Sequence, residues 1–204
     1  MNDKNPPFVY LASQSPRRRQ LLEQLGVAHE LLLPDAHEDV EGLEAVLPGE
    51  PPARYVQRVT GLKLDAAVER LQRRRLPPGP VLWSDTTVAR GRTIYGKPAD
   101  EADAARMLRE LAGTTHRVLT AVAVQSGRTR RAALSDSRVT FARWTPAQIR
   151  DYVASGEPMG KAGAYAIQSG AARWTTHIAG SYSGIMGLPL HEVDRLLAAC
   201  RTAS

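Results

Sequence analysis

The densest chemistry in the chain is the run Ser13-Gln14-Ser15-Pro16-Arg17-Arg18. It follows the apolar Phe8-Val9-Tyr10-Leu11-Ala12 and precedes a stripe of Leu21, Leu22 and Leu25, so it lies at a strand-to-helix junction. Free amide N–H groups at a helix start, beside the positive end of the dipole, welcome an anion. Ser13 and Ser15 add hydroxyl donors, and Arg17 and Arg18 add guanidinium forks that match phosphate oxygens. A plain serine cap with exposed arginines is the competing reading. Against it, a cation in the first turn opposes the dipole at roughly 0.3–1 kcal/mol unless an anion offsets it. The chemistry indicated is phosphate binding.

Asp85 stands just past the apolar strand Val81-Leu82-Trp83, within Ser84-Asp85-Thr86-Thr87-Val88. A carboxylate at a strand end can serve as a general base or a metal ligand, and a turn aspartate bonded to its own backbone weighs equally. Lys63 and Lys97 (in Gly96-Lys97-Pro98) read alone as surface lysines. Glu38, in the acidic loop Asp35 to Glu44, offers the hard oxygens a divalent cation prefers, although solvated loop charge is the simpler reading. Gln168 sits in the small-residue stretch Lys161 to Gly170 and carries both a donor and an acceptor, which suits a nucleobase edge. A glycine-rich structural turn competes with that. His116 and His177 lack partners at metal-ligand spacing and are assigned structural roles. The chain has no nucleophile elbow, Walker A loop or dinucleotide fingerprint.

Positioning these residues requires a particular set of elements. Strands are expected at Phe8–Ala12, His29–Leu33 and Val81–Trp83, with a hairpin at Gly91 and two further strands near Arg117–Val124 and Ala132–Phe141. The first helix takes Ser15 as N-cap, Pro16 at its first position and Gly26 as its stop. A longer helix spans about Pro52 to Arg74, with Tyr55, Val56, Val59, Leu62, Ala66 and Ala67 as its buried stripe. Asp100 caps a third helix carrying Met107, Leu108 and Leu111. Thr145-Pro146-Ala147-Gln148 forms a capping box, and His191–Ala199 closes the chain. Such mixed helices and strands predict an α/β chain with a mixed sheet.

Composition bounds the function. Of 204 residues, 43% are hydrophobic and 24% charged, as in a globular protein. No apolar run approaches the length of a bilayer span, and Met1 to Pro7 lacks the apolar core of a signal peptide. One cysteine, Cys200, leaves no disulfide framework within the chain. These features predict a cytoplasmic protein without a membrane partner. The net charge of +6 suits polyanionic partners. Nothing follows the aromatic-and-basic pattern of a single-strand binder, which argues against nucleic acid. Arg73-Arg74-Arg75 is read as a solvated helix end.

The motifs together resemble the Maf family of nucleotide pyrophosphatases. Leu11-Ala12-Ser13-Gln14-Ser15-Pro16-Arg17-Arg18 with Leu21-Leu22, then Ser84-Asp85-Thr86-Thr87-Val88, Gly96-Lys97-Pro98, Lys161-Ala162-Gly163-Ala164-Tyr165, Ile167-Gln168 and Gly187-Leu188-Pro189-Leu190 follow in the family's order. The resemblance implies an elongated mixed α/β fold, related to the inosine triphosphatase group, with two lobes around a cleft. It would occupy residues 8–200 as a single domain. It also implies hydrolysis of a nucleoside triphosphate to the monophosphate and pyrophosphate, with Mg²⁺ or Mn²⁺, and a homodimer. By position, Asp85 matches the proton acceptor and a metal ligand, with Glu38 as the other ligand. Arg18, Thr86 and Gln168 match positions linked to substrate choice, and Ser13, Lys63 and Lys97 match polar cleft residues. Asp-Thr and Ile-Gln resemble the dTTP/UTP branch, whereas the 7-methyl-GTP branch typically has Asp-Gln and Ser-Glu. The family's associations with arrest of septum formation keep a non-catalytic nucleotide- or nucleic-acid-binding regulator as a rival. Three departures stand out: His37 replaces an acidic residue before Glu38, Ser169 replaces a glycine, and the loop Gly42–Pro51 is long.

Overall fold

A computed structural model describes residues 8–40 and 42–201; the Met1–Pro7 stretch and Glu41 of the acidic loop lie outside them. Among the described residues the elements run β1 (Phe8–Leu11), α1 (Pro16–Gln24), β2 (Ala28–Leu31), α2 (Pro52–Arg73), β3 (Val81–Arg90), β4 (Thr93–Tyr95), α3 (Glu101–Leu111), β5 (Thr115–Ser126), β6 (Thr129–Phe141), α4 (Pro146–Ala154), β7 (Thr175–Ala179), α5 (Tyr182–Ile185) and α6 (Leu190–Arg201). The strands form one mixed sheet ordered β2-β1-β3-β5-β6-β7, with β4 paired to β3. β1 pairs in parallel with β2 and β3, and the remaining pairs are antiparallel.

The alternation of side chains along β3 and β5 sends two sets of residues to opposite faces. On one face Trp83 and Ala123 pack with Leu64 and Ala67, while Leu119, Ala121 and Ala89 meet Tyr55, Val56 and Val59, so α2 covers this side. On the other face Leu82, Val122 and Val124 meet Leu21 and Leu22 of α1 and Val193 and Leu197 of α6. At the far end Val88, Val118, Val139 and Phe141 join α3 and α4 in a cluster rich in aromatic rings. Burying each such Leu, Ile or Phe stabilises by about 1.5–3 kcal/mol, which is why helices flank both faces of the sheet.

Local signals survive where they are strongest. Thr145 and Gln148 make both halves of the capping box, and the Asp100 side chain accepts from the Asp103 amide. Ser15 holds the N-cap position but makes no side-chain capping bond, and its amide donates to Ser13 Oγ at 3.3 Å.

Four sequence expectations are corrected. β3 does not end at Trp83: it runs on to Arg90, so Asp85 lies within a strand. β2 ends at Leu31, two residues before the expected Leu33. Leu62 is 40% exposed, since the buried stripe of α2 follows Val59, Lys63-Leu64, Ala67 and Arg70-Leu71, one helical turn at a time. Arg73 and Arg74 are not simply solvated. Arg73 donates to Asp35 at 2.7 Å and Glu38 at 2.5 Å, and Arg74 pairs with Asp35 and donates to the Leu33 carbonyl at 2.9 Å.

Candidate active site

The site forms where the edge of β3 is left open. β1 covers Val81 and Leu82, β4 covers Val88 to Arg90, and among the described residues no strand pairs with Trp83 to Thr87 along that edge. The other edge is held by β5 throughout, with Asp85 opposite Ala121 and Thr86 opposite Thr120. A break where strand direction changes is where α/β sheets form ligand crevices. Into this break point the start of α1, the Gly96-Lys97 segment after β4, and the turn at 160–168.

Two chambers meet there. The more enclosed of the two, a pocket of about 130 Å³, is lined by Thr86, Val118, Tyr165, Ile167, Gln168 and Met186, among others. A wider cleft of about 900 Å³ runs past Ser13, Gln14, Glu38, Lys63 and Trp83. Ser15, Arg17, Arg18, Glu44, Asp85, Lys97 and Lys161 line both. Every candidate residue from the sequence therefore lies on one chamber or the shared wall.

Asp85 is anchored by two contacts. Its Oδ1 accepts from the Thr86 amide at 3.0 Å, and its Oδ2 accepts from Lys63 Nζ at 2.9 Å. The Lys63 side chain is only 5% exposed and also donates to Glu44 Oε1 at 2.6 Å, so two carboxylates balance one buried ammonium. The surface-lysine reading of Lys63 is thereby overturned. Lys97 Nζ reaches the same Glu44 oxygen at 3.5 Å and remains 44% exposed.

Arg18 works differently from the free fork expected of it. Its Nε donates to the Gly187 carbonyl at 2.9 Å and its Nη1 to Ser13 Oγ at 3.0 Å. Burial pushes its pKa below the ordinary arginine value, while Asp85 and Glu44 pull it upward. A guanidinium stays charged under such shifts. Ser84 Oγ also donates to the Gly187 carbonyl, at 2.9 Å, so that carbonyl is fixed from two elements. Beside it, Thr86 Oγ1 and Thr120 Oγ1 lie 2.9 Å apart, and Thr120 donates to the Gly184 carbonyl at 2.7 Å. This ladder of hydroxyls ties α5 and Gly187 to the floor of the enclosed chamber.

The wall carrying Gln168 is set by a tight approach. Gly163 adopts φ +71, and a Cβ there would fall 2.8–3.0 Å from the Val88 side chain, so only glycine fits. Ala164 follows at φ +61, which costs an L residue roughly 1–2 kcal/mol. The turn thus presses against β3 and sends Tyr165 inward and the exposed Gln168 to the chamber. Glu157 fixes the far end: Tyr152 donates to it at 2.5 Å, the Gly170 amide at 3.1 Å, and Ser169 Oγ also donates. Ser169, a departure from the family pattern, thus holds the strap that carries Gln168.

Glu38 lines the cleft, yet Arg70 and Arg73 engage its carboxylate. Arg70 Nη2 meets Oε2 at 2.5 Å and Arg73 Nη2 meets Oε1 at 2.5 Å, and these arginines hold its pKa down to about 2. Three wall residues lay inside stretches picked out from the sequence but were given no role of their own: Glu44, Lys161 and Tyr165. Lys161 opens the small-residue stretch that carries Gln168, and burial, then Arg17, lowers its pKa. Glu44 sits in a loop whose spacing carries no periodic signal.

Two chambers, one enclosed and one cationic, joined at a carboxylate describe a site for an organic phosphate with a bulky head. The chain belongs to the Maf family, whose model, described as Maf-like protein, matches residues 8–200. It is 67% identical over 190 residues to a dTTP/UTP pyrophosphatase of Albidiferax ferrireducens, covering 93% of this chain and 95% of that one. It is 69% identical over 192 residues to a dTTP/UTP pyrophosphatase of a Polaromonas species, covering 94% and 95%. Among solved structures, the Staphylococcus aureus Ham1 protein aligns over 97% of this chain and 100% of its own at 12% identity and a TM-score of 0.45. That likeness is too loose to carry an argument, and the fold stands on its own topology.

Proposed function

We propose that the chain hydrolyses dTTP and UTP to the monophosphate and pyrophosphate. The observation that carries this reading is the position of Asp85, on the wall shared by the enclosed chamber and the cationic cleft. A pyrimidine head in the chamber and a polyphosphate tail in the cleft bring the α-phosphorus beside that carboxylate. The near relatives of that activity support the substrate class.

Asp85 takes a proton from water as the water oxygen bonds to the α-phosphorus. The bond to the bridging oxygen breaks, and pyrophosphate leaves with that electron pair. Such transfers depend on positioning and charge neutralisation. Lys63, Lys97, Lys161 and the start of α1, with Ser13, Ser15 and Arg17, supply positive charge and donors along the tail. Arg18, Thr86 and Gln168 face the head and select it.

The residues also fit a divalent cation. Mg²⁺ is commonly held by one or two carboxylates together with substrate phosphates, and Asp85 places a carboxylate where the tail would lie. Bound there, the cation would neutralise phosphate charge. Among the described residues no helix is long and apolar enough to cross a membrane. A cytoplasmic setting and a homodimer are part of the same proposal.

Pyrophosphate release with Mg²⁺ or Mn²⁺, measured across dTTP, UTP, CTP, GTP and 7-methyl-GTP, tests the proposal. Selective turnover of dTTP and UTP is expected. Preference for 7-methyl-GTP would overturn the assignment of Thr86 and Gln168, and folded protein without turnover would leave a binding regulator.

A further inference from the structure

The two ends of the wide cleft differ in charge. Its cations gather at the wall it shares with the chamber: Arg17, Arg18, Lys97 and Lys161 line both, and Lys63 is bonded to Asp85 there. The other end is built by the 34–40 segment, which contributes Asp35, His37, Glu38, Asp39 and Val40 and no lysine or arginine. The arginines that balance this segment stand outside the lining. Arg70 and Arg73 engage Glu38, and Arg73 and Arg74 pair with Asp35. A terminal phosphate placed at this end would meet carboxylate oxygens, whereas hydroxyl groups would find acceptors, since an ionised carboxylate accepts at two oxygens.

A second observation comes from Trp83. Its residue is 6% exposed, and its indole N–H is buried without a partner among the described residues. Trp83 lines the cleft and bridges its two ends: Lys63 Nζ lies 5.6 Å from its ring centroid, and Val40 packs against the cluster to which it belongs. A buried donor is costly to leave without an acceptor. Size points the same way. The cleft's volume of about 900 Å³ is near the upper end of the roughly 300–1,000 Å³ that holds a whole small ligand, yet the head is assigned to the chamber.

We propose that the cleft also takes a leaving group larger than pyrophosphate, a hexose 1-phosphate, so that the chain cleaves pyrimidine nucleoside diphosphate hexoses as well as triphosphates. This rests on the hydrolytic reading above. The β-phosphate lies at the cationic wall and the hexose at the 34–40 end. There Asp39 and His37 meet its hydroxyls, Trp83 donates to one of its oxygens, and Val40 and Met159 pack on its C–H face. The reaction is the same at the α-phosphorus. Asp85 takes a proton from water as the water oxygen bonds to phosphorus, and the bond to the bridging oxygen breaks. The hexose 1-phosphate leaves with that electron pair, and the nucleoside monophosphate remains.

The test sets UDP-glucose beside UTP, with the full chain and Mg²⁺ in ¹⁸O-labelled water, and identifies the products by mass spectrometry. UMP carrying the label and unlabelled glucose 1-phosphate are expected, with kcat/KM no more than about 100-fold below that for UTP, as for one lost charge-assisted contact. Asp85→Asn should abolish both reactions. Trp83→Phe, which keeps a ring and removes the N–H, should lower the ratio of UDP-glucose to UTP turnover about 3- to 10-fold, with a melting control for folding. Protein that turns over UTP and leaves UDP-glucose intact overturns the proposal and spares the hydrolytic reading. Inactivity toward both overturns the two together. Label in glucose 1-phosphate, cleavage of UDP-glucose that survives Asp85→Asn, or an unchanged ratio in folded Trp83→Phe also overturns it.

Discussion

In the open cleft, side chains are ordered by charge: Arg70 and Arg73 hold Glu38, and Lys63 holds Glu44 and Asp85. In the enclosed chamber they are ordered by packing. Tyr165 is wedged against His116 and Phe141, Gly163 against Val88, and the Thr86–Thr120 pair against the Gly184 carbonyl. Ion pairs can exchange partners when a polyanion arrives, whereas a packed wall of aromatic rings and tight glycine contacts keeps its shape. The difference assigns the tasks. The cleft neutralises a tail that all nucleoside triphosphates share, and the chamber discriminates among their heads by shape and unpaired polar groups.

Asp85 belongs to both regions, so its loss has the largest expected effect. Asp85→Asn should lower kcat by about 10²–10⁴-fold for every nucleotide, the usual contribution of a positioned base. The strand is held by its pairing with β5, so the melting temperature should change little by comparison. Steady-state kinetics with a melting control checks this, and near-full turnover would rule Asp85 out as the base.

The next pair of substitutions separates the regions. Lys97→Met removes a half-exposed cation from the shared wall, and kcat/KM should fall roughly 10- to 100-fold, as for a lost charge-assisted hydrogen bond. That fall should be alike for dTTP, UTP and GTP. Gln168→Glu, on the exposed strap of the chamber, should instead alter the ratio of dTTP to GTP turnover by about tenfold. If Lys97→Met were selective among bases, or Gln168→Glu uniform, the division of labour would be wrong.

The packed region was the more legible of the two. The capping box of α4, the Asp100 cap and the apolar stripes appear in sequence because helix ends and periodic faces are local properties. Asp85, Thr86 and Gln168 were also found, although Asp85 was placed past its strand. The polar run Ser84-Asp85-Thr86-Thr87 masked a strand that β-branched threonines and long pairing with β5 sustain. The cleft was less legible. Arg70 is completely buried on the α2 stripe that Val59, Lys63 and Ala67 define, but its charge argued against a place in the core. Its burial depends on Glu38, 32 residues away. Glu44 likewise acquires meaning only when the fold sets it beside Lys63.

His116 offers the smallest effect on turnover and the clearest view of packing. It is 1% exposed, its Nε2 lies 2.8 Å from the Tyr165 hydroxyl, and its Nδ1 has no partner among the described residues. Burial therefore favours the neutral ring and pushes its pKa down to about 4, from 6.5. A depressed folded-state pKa means the unfolded chain binds the proton first. The stability from the neutral ring is thus complete above about pH 6.5 and is lost as pH falls toward 4. The loss should reach about 2 kcal/mol at pH 5, or several degrees of melting temperature. His116→Gln, which can still bond Tyr165, should flatten that part of the profile and leave turnover at neutral pH nearly unchanged. The acid limb below it should persist, because Glu38, held at about 2 by Arg70, loses its contribution only between about pH 4.5 and 2. A variant with the wild-type slope between pH 6.5 and 4 would show that His116 is not the group titrating in the packed region.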